Sequence, residues 1–274
     1  MNQKTKLNFN KSSINYIRQS WLDIWQQKGY YLLEPVSLIP ENDPSLLWIN
    51  SGVATLKKYF NNPALAPARN LVNCQRVIRT DDLSNINPQS YHQTLFEMLG
   101  VFSIGSNFKV ETIPVIWEWF TSLQWLNLNP QQLFVTILPE DKITYQIWQE
   151  QKNFIPNHII LGTKKTNFWD MGDGTCGPNT EIYFDFNSNE KLPQKITDLD
   201  SKRFIEICNI VFPEFNHKGD KYLPLPEKCV DIGAGLERIG IVIQGKKNTF
   251  ETDLWEPAVK LIASYCSKKN NKHD

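Results

Sequence analysis

The 274-residue chain has no surplus of charge: 29 Lys and Arg face 29 Asp and Glu, a formal net charge of +0. A global electrostatic pull toward nucleic acid is therefore excluded, and any such attraction must come from a local patch. Histidine is scarce, with four in the chain and none at metal-ligand spacing. The five cysteines (Cys74, Cys176, Cys208, Cys229, Cys266) are scattered, odd in number and form no Cys-x-x-Cys pair. Both scarcities point to a reducing compartment and to no structural zinc. No apolar run reaches membrane-spanning length, and the opening MNQKTKLNFNK lacks the apolar core of a signal peptide. A soluble cytoplasmic protein with no membrane partner is expected; the Lys-rich, acid-poor start leaves an organellar address open.

What is present is enough chain for one substantial core. Residues 1–12 read as a polar arm, 13–266 as a single domain and 267–274 as a polar tail, with no internal repeat or interdomain linker. Ser12 or Ser13 caps a helix in which Ile14, Ile17, Trp21 and Trp25 form an apolar stripe, stopped by Gly29. An extended YYLLEPVSLIP, a turn at Asp43-Pro44, a short strand LLWI and a helix over 53–60 are expected next.

LVNCQRVIR and YHQTLFEMLGVFSIG read as two strands of a hairpin around the polar loop TDDLSNINPQS. Arg79 and Glu97 fall near its inner ends, where a salt bridge is the plain structural expectation. A helix entered at Pro114, with Trp117, Phe120 and Leu123 on its stripe, precedes the strand LFVTILP, a helix EDKITYQIWQEQK and a short extended HIILG. KKTNFWDMGDGTCGPNT reads as a glycine-rich loop, TEIYFDF as an alternating strand, RFIEICNIVF as another, and ETDLWEPAVKLIASYC as a last helix. Short strands interleaved with helices, without regular βαβ alternation, indicate the α+β class with an antiparallel sheet flanked by helices.

Residues 229–245, CVDIGAGLERIGIVIQG, read as a strand, a tight turn at Gly233 and Gly235, and a helix. The start of such a helix suits an anion such as phosphate. Asp231 is an acid on an otherwise apolar strand and needs a cationic partner, for which the ammonium of an amino acid would serve. Taken alone, an Asp before a glycine is more often a turn cap.

The ordered strings PENDPSLLWINSG, HQTLFEMLGVFSIG, NFWDMGDG with CGPNTEI, RFIEICNIVF and PEKCVDIGAGLERI resemble the aminoacylation domain of alanyl-tRNA synthetases, class II aminoacyl-tRNA synthetases, from about residue 13 to 265. The resemblance implies the class II antiparallel sheet, alanine and ATP as substrates, alanyl-adenylate as intermediate and tRNA(Ala) as acceptor. It matches residues 40–52 to motif 1. Arg79 matches the motif 2 arginine on the α-phosphate, with His92 also on ATP. Phe96 matches the aromatic under adenine, and Arg238 the motif 3 arginine on its other face. A planar guanidinium suits that stacking as an ammonium would not. Asp231 matches the acid that takes alanine's ammonium, Trp169 a wall of the methyl pocket, Gly233 a close backbone approach and Asn209 a further substrate contact. Glu181 is the implied Mg2+ contact, by analogy with acids on the equivalent strand.

The sequence also departs from the family. TDDLSNINPQS is shorter than the usual motif 2 loop and has no basic residue. The usual Arg-His-His-Thr is Tyr91-His92-Gln93-Thr94, Ala234 stands for a methionine and Asn179 for a cysteine. The family's tRNA-recognition, zinc-dependent editing and oligomerisation domains have no counterpart in these residues, so a monomer is expected. The expectation is an alanine–tRNA ligase catalytic domain. An alanine ligase with a non-tRNA acceptor and an inert synthetase-derived binding module are the alternatives.

Overall fold

The computed structural model describes residues 10–41, 44, 46–80, 83–84, 86, 91–170, 172, 174–199 and 202–266. The turn at Asp43, most of the TDDLSNINPQS loop, Asp173, most of the N-terminal arm and the tail lie outside them.

The first helix, α1 (Ile14–Gln27), begins where Ser13 accepts from the Tyr16 N–H and buries Ile14, Ile17, Trp21, Ile24 and Trp25. Its stripe is therefore core, as the spacing requires. After β1 (Tyr31–Leu32), a 3-10 turn at Val53–Leu56 runs into α2 (Lys57–Asn61). The expected LLWI strand is absent: Leu47 is 77% exposed, so half of its apolar signal never enters the core. β2 (Asn70–Ile78) and β3 (Leu95–Ile104) form the expected hairpin.

α3 spans Lys109–Thr121, starting five residues before Pro114, because Glu111 reaches back to the Phe108 N–H and caps the first turn. Trp117 and Phe120 are buried, but Leu123 lies past the helix end and is 75% exposed. β4 (Leu133–Ile137), α4 (Lys142–Gln149), β5 (Ile159–Leu161), α5 (Lys164–Asn167) and β6 (Phe168–Trp169) follow. β7 begins at Gly174 and runs to Asp185, so half of the expected glycine loop is strand. β8 (Phe204–Val211), a hairpin of β9 (Phe215–Lys218) and β10 (Lys221–Pro224), β11 (Cys229–Gly235), α6 (Leu236–Gln244) and α7 (Glu256–Tyr265) complete the chain.

The main sheet runs β1-β2-β3-β11-β8-β7-β4-β5, antiparallel except for the parallel pairs at its two edges; β6 and β9 add to β7. One face carries Val72, Leu99, Val101, Ile182, Ile210, Ile232 and Ala234, packed with the apolar sides of α1, α3 and α6 in a single core. At its centre Trp21 stands edge-on to Trp25 and Trp119, and its indole N–H donates to the Gly100 carbonyl behind the sheet. A buried lysine, Lys109, is held by Asp141 at 2.8 Å and Glu214 at 2.7 Å, tying α3 and the start of α4 to the connection between β8 and β9. No helix among the described residues is long and apolar enough to cross a membrane.

Truncating Trp21 empties the centre of the helix-covered face. Trp21→Ala is expected to cost about 3–5 kcal/mol, the range for aromatic-to-alanine changes in a packed core. Urea unfolding followed by circular dichroism would measure it, and a loss under 1 kcal/mol would show that the helices hold without the tryptophan cluster.

Candidate active site

The opposite face of the sheet is cut by a row of small and polar residues. Across β2, β3, β11, β8 and β7 the register aligns Asn73, Gly100, Gly233, Asn209 and Glu181, and Thr136 of β4 extends the row. The next rung places Phe102, Asp231, Val211 and Asn179 in line. Four residues singled out in the sequence (Asp231, Gly233, Asn209 and Glu181) thus come together on adjacent rungs of three strands.

Asp231 sits half-buried at this floor, and among the described residues no donor hydrogen-bonds its carboxylate. Burial pushes its pKa up to about 7, partly offset by the positive field of Arg79. Gly233 is open on its cleft side: an added Cβ would meet only Met98, whose sulfur lies 3.2 Å away. Asn209 accepts from Asn179 Nδ2 at 3.2 Å. Trp169, in β6, pairs with Gly177 of β7 and is half-buried.

Glu181 accepts from Tyr183 OH at 2.9 Å and from Thr136 Oγ1 at 3.3 Å. Its carboxyl is raised to about 7, first by burial and then by the charge of Glu206. The sequence reading missed Glu206, although the signal is there. Glu206 and Asn209 are the polar residues of FIEICNIV, three apart, and a regular strand would send them to opposite faces. The register skips Ile207 between the Ile182–Cys208 and Tyr183–Glu206 pairs, and this bulge turns Glu206 onto the same face as Asn209. There Glu206 meets Arg238, whose Nη1 donates to its carboxylate at 3.3 Å and its carbonyl at 3.1 Å.

Arg79 follows β2 directly. Its N–H bonds to the Thr94 carbonyl, its Nε donates to Asn50 O at 2.9 Å, and its guanidinium lies 5.5 Å from the Phe96 ring centre. His92 is half-buried on the segment entering β3. The salt bridge expected between Arg79 and Glu97 does not form, because Arg18 of α1 takes the Glu97 carboxylate instead. Arg18 grips it in a fork at 2.8 and 2.7 Å, and these bonds hold its carboxyl below the usual range although burial alone would raise it.

Two expectations for the 229–245 stretch are corrected. Neither Gly233 nor Gly235 has a positive φ; both lie in β11, which passes into α6 without a tight turn. The start of α6 does not wait for a phosphate. Glu237, 3% exposed, lies in its first turn and accepts from its own backbone N–H and from the Glu97 N–H at 2.9 Å. A helix that carries its own carboxylate at its positive end repels a further anion.

This sheet, with its helix-backed face and polar cleft, has the fold of class II tRNA synthetases: apo histidyl-tRNA synthetase of Staphylococcus aureus superposes with a TM-score of 0.50, covering 94% of this chain and 80% of that one at 11% identity. The family model "tRNA synthetases class II (A)" matches residues 16–274, and the chain belongs to that family. It is similar to the alanine–tRNA ligase of Mycoplasma capricolum, 46% identical over 258 residues, and to that of Latilactobacillus sakei, 43% identical over 259. Each match covers 92% of this chain and 29% of the relative, so the chain spans under a third of their length.

The pKa directions yield a pH signature. Asp231 holds its proton in the folded state up to about pH 7, whereas the unfolded chain loses it near 4. Its contribution to stability is present at pH 4 and is lost as the pH rises to about 7. Asp231→Asn is therefore expected to be more stable than the parent at pH 7.5, with the advantage shrinking toward pH 4. Denaturation midpoints across that range would test it, and a constant difference would show that the carboxyl is not raised.

Proposed function

We propose that this chain is the catalytic domain of an alanine–tRNA ligase, which joins alanine to ATP as alanyl-adenylate and passes it to the 3′ end of tRNA(Ala). The carrying observation is Asp231: a half-buried carboxylate, raised to about 7, at the floor of the cleft with no hydrogen-bond donor among the described residues. A group in that state calls for a cation, and an α-ammonium restores its ionised form. The likeness to alanine–tRNA ligases supports alanine as the amino acid and tRNA(Ala) as the acceptor.

In the first step a carboxylate oxygen of alanine attacks the α-phosphorus of ATP, and pyrophosphate leaves with the electron pair of the broken P–O bond. Asp231 anchors the ammonium, and Gly233 lets the substrate lie against the strand. Asn209 orients the substrate, and Trp169 closes the methyl side. Arg79, fixed through Asn50 and Thr94, faces the α-phosphate, where charge builds in the transition state. Phe96 and Arg238 bracket the adenine, and the bonds that Arg238 Nη1 donates to Glu206 orient that guanidinium. His92 lies on the phosphate side.

Two acids bear on Mg2+. Mg2+ is held by one or two carboxylates and keeps several waters. Glu181 and Glu206 are such a pair: burial first and the charge of Glu206 second raise Glu181, and a dication would offset both. When bound, the ion neutralises phosphate charge. Among the described residues no cluster of three or more His, Cys, Asp or Glu could hold a metal.

The deciding experiment is alanine-dependent ATP–pyrophosphate exchange. Exchange is expected with the parent chain, and its absence would favour an inert binding module. Charging of purified tRNA(Ala) then separates the ligase from an alanine ligase with another acceptor. Arg79→Ala should lower kcat for exchange by about 10²-fold, the loss seen for a preorganised transition-state donor; a change confined to KM for ATP would refute the role. Gly233→Ala should fold normally, since only flexible Met98 has to give. Its methyl nevertheless enters the cleft, so KM for alanine should rise about tenfold or more, roughly 1.4 kcal/mol. An unchanged KM would move the substrate away from this strand.

A further inference from the structure

The residues on either side of Trp169 play no part in the chemistry above, yet one hairpin grips both. Phe168 stands edge-on to the Tyr222 ring at 5.7 Å and tilts against Phe215 at 6.5 Å. Asp170 is held on both oxygens. Tyr222 OH donates to Oδ2 at 2.7 Å, and His217 Nδ1 lies 2.9 Å from Oδ1, which also accepts from the Gly172 N–H at 3.0 Å. These bonds, Tyr222 first and His217 second, hold its carboxyl down to about 2, so it is ionised at neutral pH. Hydrogen bonds to an ionised carboxylate are of the stronger kind.

The grip is itself fixed. His217 and Tyr222 are direct partners across the β9–β10 hairpin, and their rings stack 4.4 Å apart. β9 lies against β7 at Gly174–Cys176, and the next residue of β7, Gly177, pairs with Trp169. Gly177 is pressed against the backbone just beyond β8, where an added Cβ would run into the Phe212 carbonyl. β7 thus carries both the strand of Trp169 and the hairpin that holds its neighbours. Because Phe168 and Asp170 both meet Tyr222, they lie on one side of the chain, and strand alternation turns Trp169 to the other.

We propose that Asp170 is a positioning residue for the alanine site: clamped to His217 and Tyr222 on one side of β6, it sets the Trp169 indole on the other, and with it the fit of the substrate methyl. The inference rests on the proposed ligase reading, in which Trp169 closes the methyl side. β6 ends at Trp169, so Phe168 alone would hold the strand at one end only. Asp170 fixes the other end. It also lines a cavity of about 550 Å³ with Phe168, Lys164 and His217, so a smaller side chain there leaves the core intact.

The test removes the clamp without altering residues 168–170. His217→Ala with Tyr222→Phe takes away both side-chain partners, and Asp170→Ala is a second variant. In the full chain carrying isotope-labelled tryptophan, each indole N–H gives one resonance, and Trp169→Phe identifies the one of interest. That resonance should move in the double variant, while those of the core residues Trp21 and Trp119 stay in place. In pyrophosphate exchange both variants should raise KM for alanine about fivefold or more and keep kcat within about twofold of the parent, the pattern of lost binding rather than lost chemistry. KM for glycine, which has no methyl to meet the wall, should stay within about twofold, whereas a merely structural defect would raise both. A stationary Trp169 resonance in the double variant would overturn the clamp, whether or not the chain activates alanine. A moved resonance with a parental KM for alanine would overturn its role in the site. A moved resonance in a chain that shows no alanine-dependent exchange would uphold the clamp while removing the alanine reading.

Discussion

The cleft depends on one rung of the sheet, where Gly100 of β3 and Gly233 of β11 stand opposite each other. A methyl at Gly100 would collide with Asn73 Oδ1 and come within 2.8 Å of the Phe102 ring, so that position has room for hydrogen alone. Gly233 is different, because its cleft side is open apart from Met98. One glycine is thus fixed by packing, and the other leaves space on the floor. Behind the same rung, the Trp21 indole donates to the Gly100 carbonyl and the tryptophan cluster fills the core. The sheet can expose a bare, polar face because its other face is so fully covered.

That division also explains the electrostatics. Asp231, Glu181 and Glu237 are all pushed to about 7, and burial is the largest cause for each. Holding three acids in that state costs stability at neutral pH, and the cost falls in two places. Glu237 spends its carboxylate inside the fold, joining the first turn of α6 to the backbone of β3. Beside it, Arg18 and Cys74 complete a network on Glu97 that brings in α1 and β2. Asp231 and Glu181 face the cleft instead, where on the proposed reading a cation, the substrate ammonium or a metal, would recover that cost. Such strained acids are what a site designed for charge, rather than for rigidity, retains.

Much of this was legible in sequence. Trp21 and Trp25 at helical spacing announced the core, and the two halves of the β2–β3 hairpin announced their pairing, because both patterns repeat over several turns or rungs. The cleft residues were legible only through resemblance; nothing in periodicity separates Asp231 from a turn cap. The first two of three errors share a cause, since local signals were outvoted by distant strand partners. Gly233 and Gly235 read as a turn, but pairing with β3 on one side and β8 on the other draws β11 out straight. The 174–179 segment read as a loop for its Gly and Pro, yet it gains β6, β8 and β9 as neighbours. The third has a different reason: the start of α6 read as a phosphate seat, but Glu237, one of its own residues, turns back onto it.

The bulge at Ile207 shows how such long-range pairing makes chemistry that no local pattern contains. Without it, Glu206 would point toward the helices, into the apolar core formed by its neighbours Ile205 and Ile207. An unpaired carboxylate there would be strongly destabilising. With it, Glu206 reaches Arg238 on one side and raises Glu181 on the other. The same residue therefore accepts from the guanidinium assigned to adenine and adds to the burial that raises the acid assigned to Mg2+. Under the proposed Mg2+ reading, a dication at Glu181 would also draw on Glu206, the acceptor of Arg238. On the proposed assignments, nucleotide stacking and metal binding would meet at this one side chain, placed on the cleft face by one extra residue in one strand.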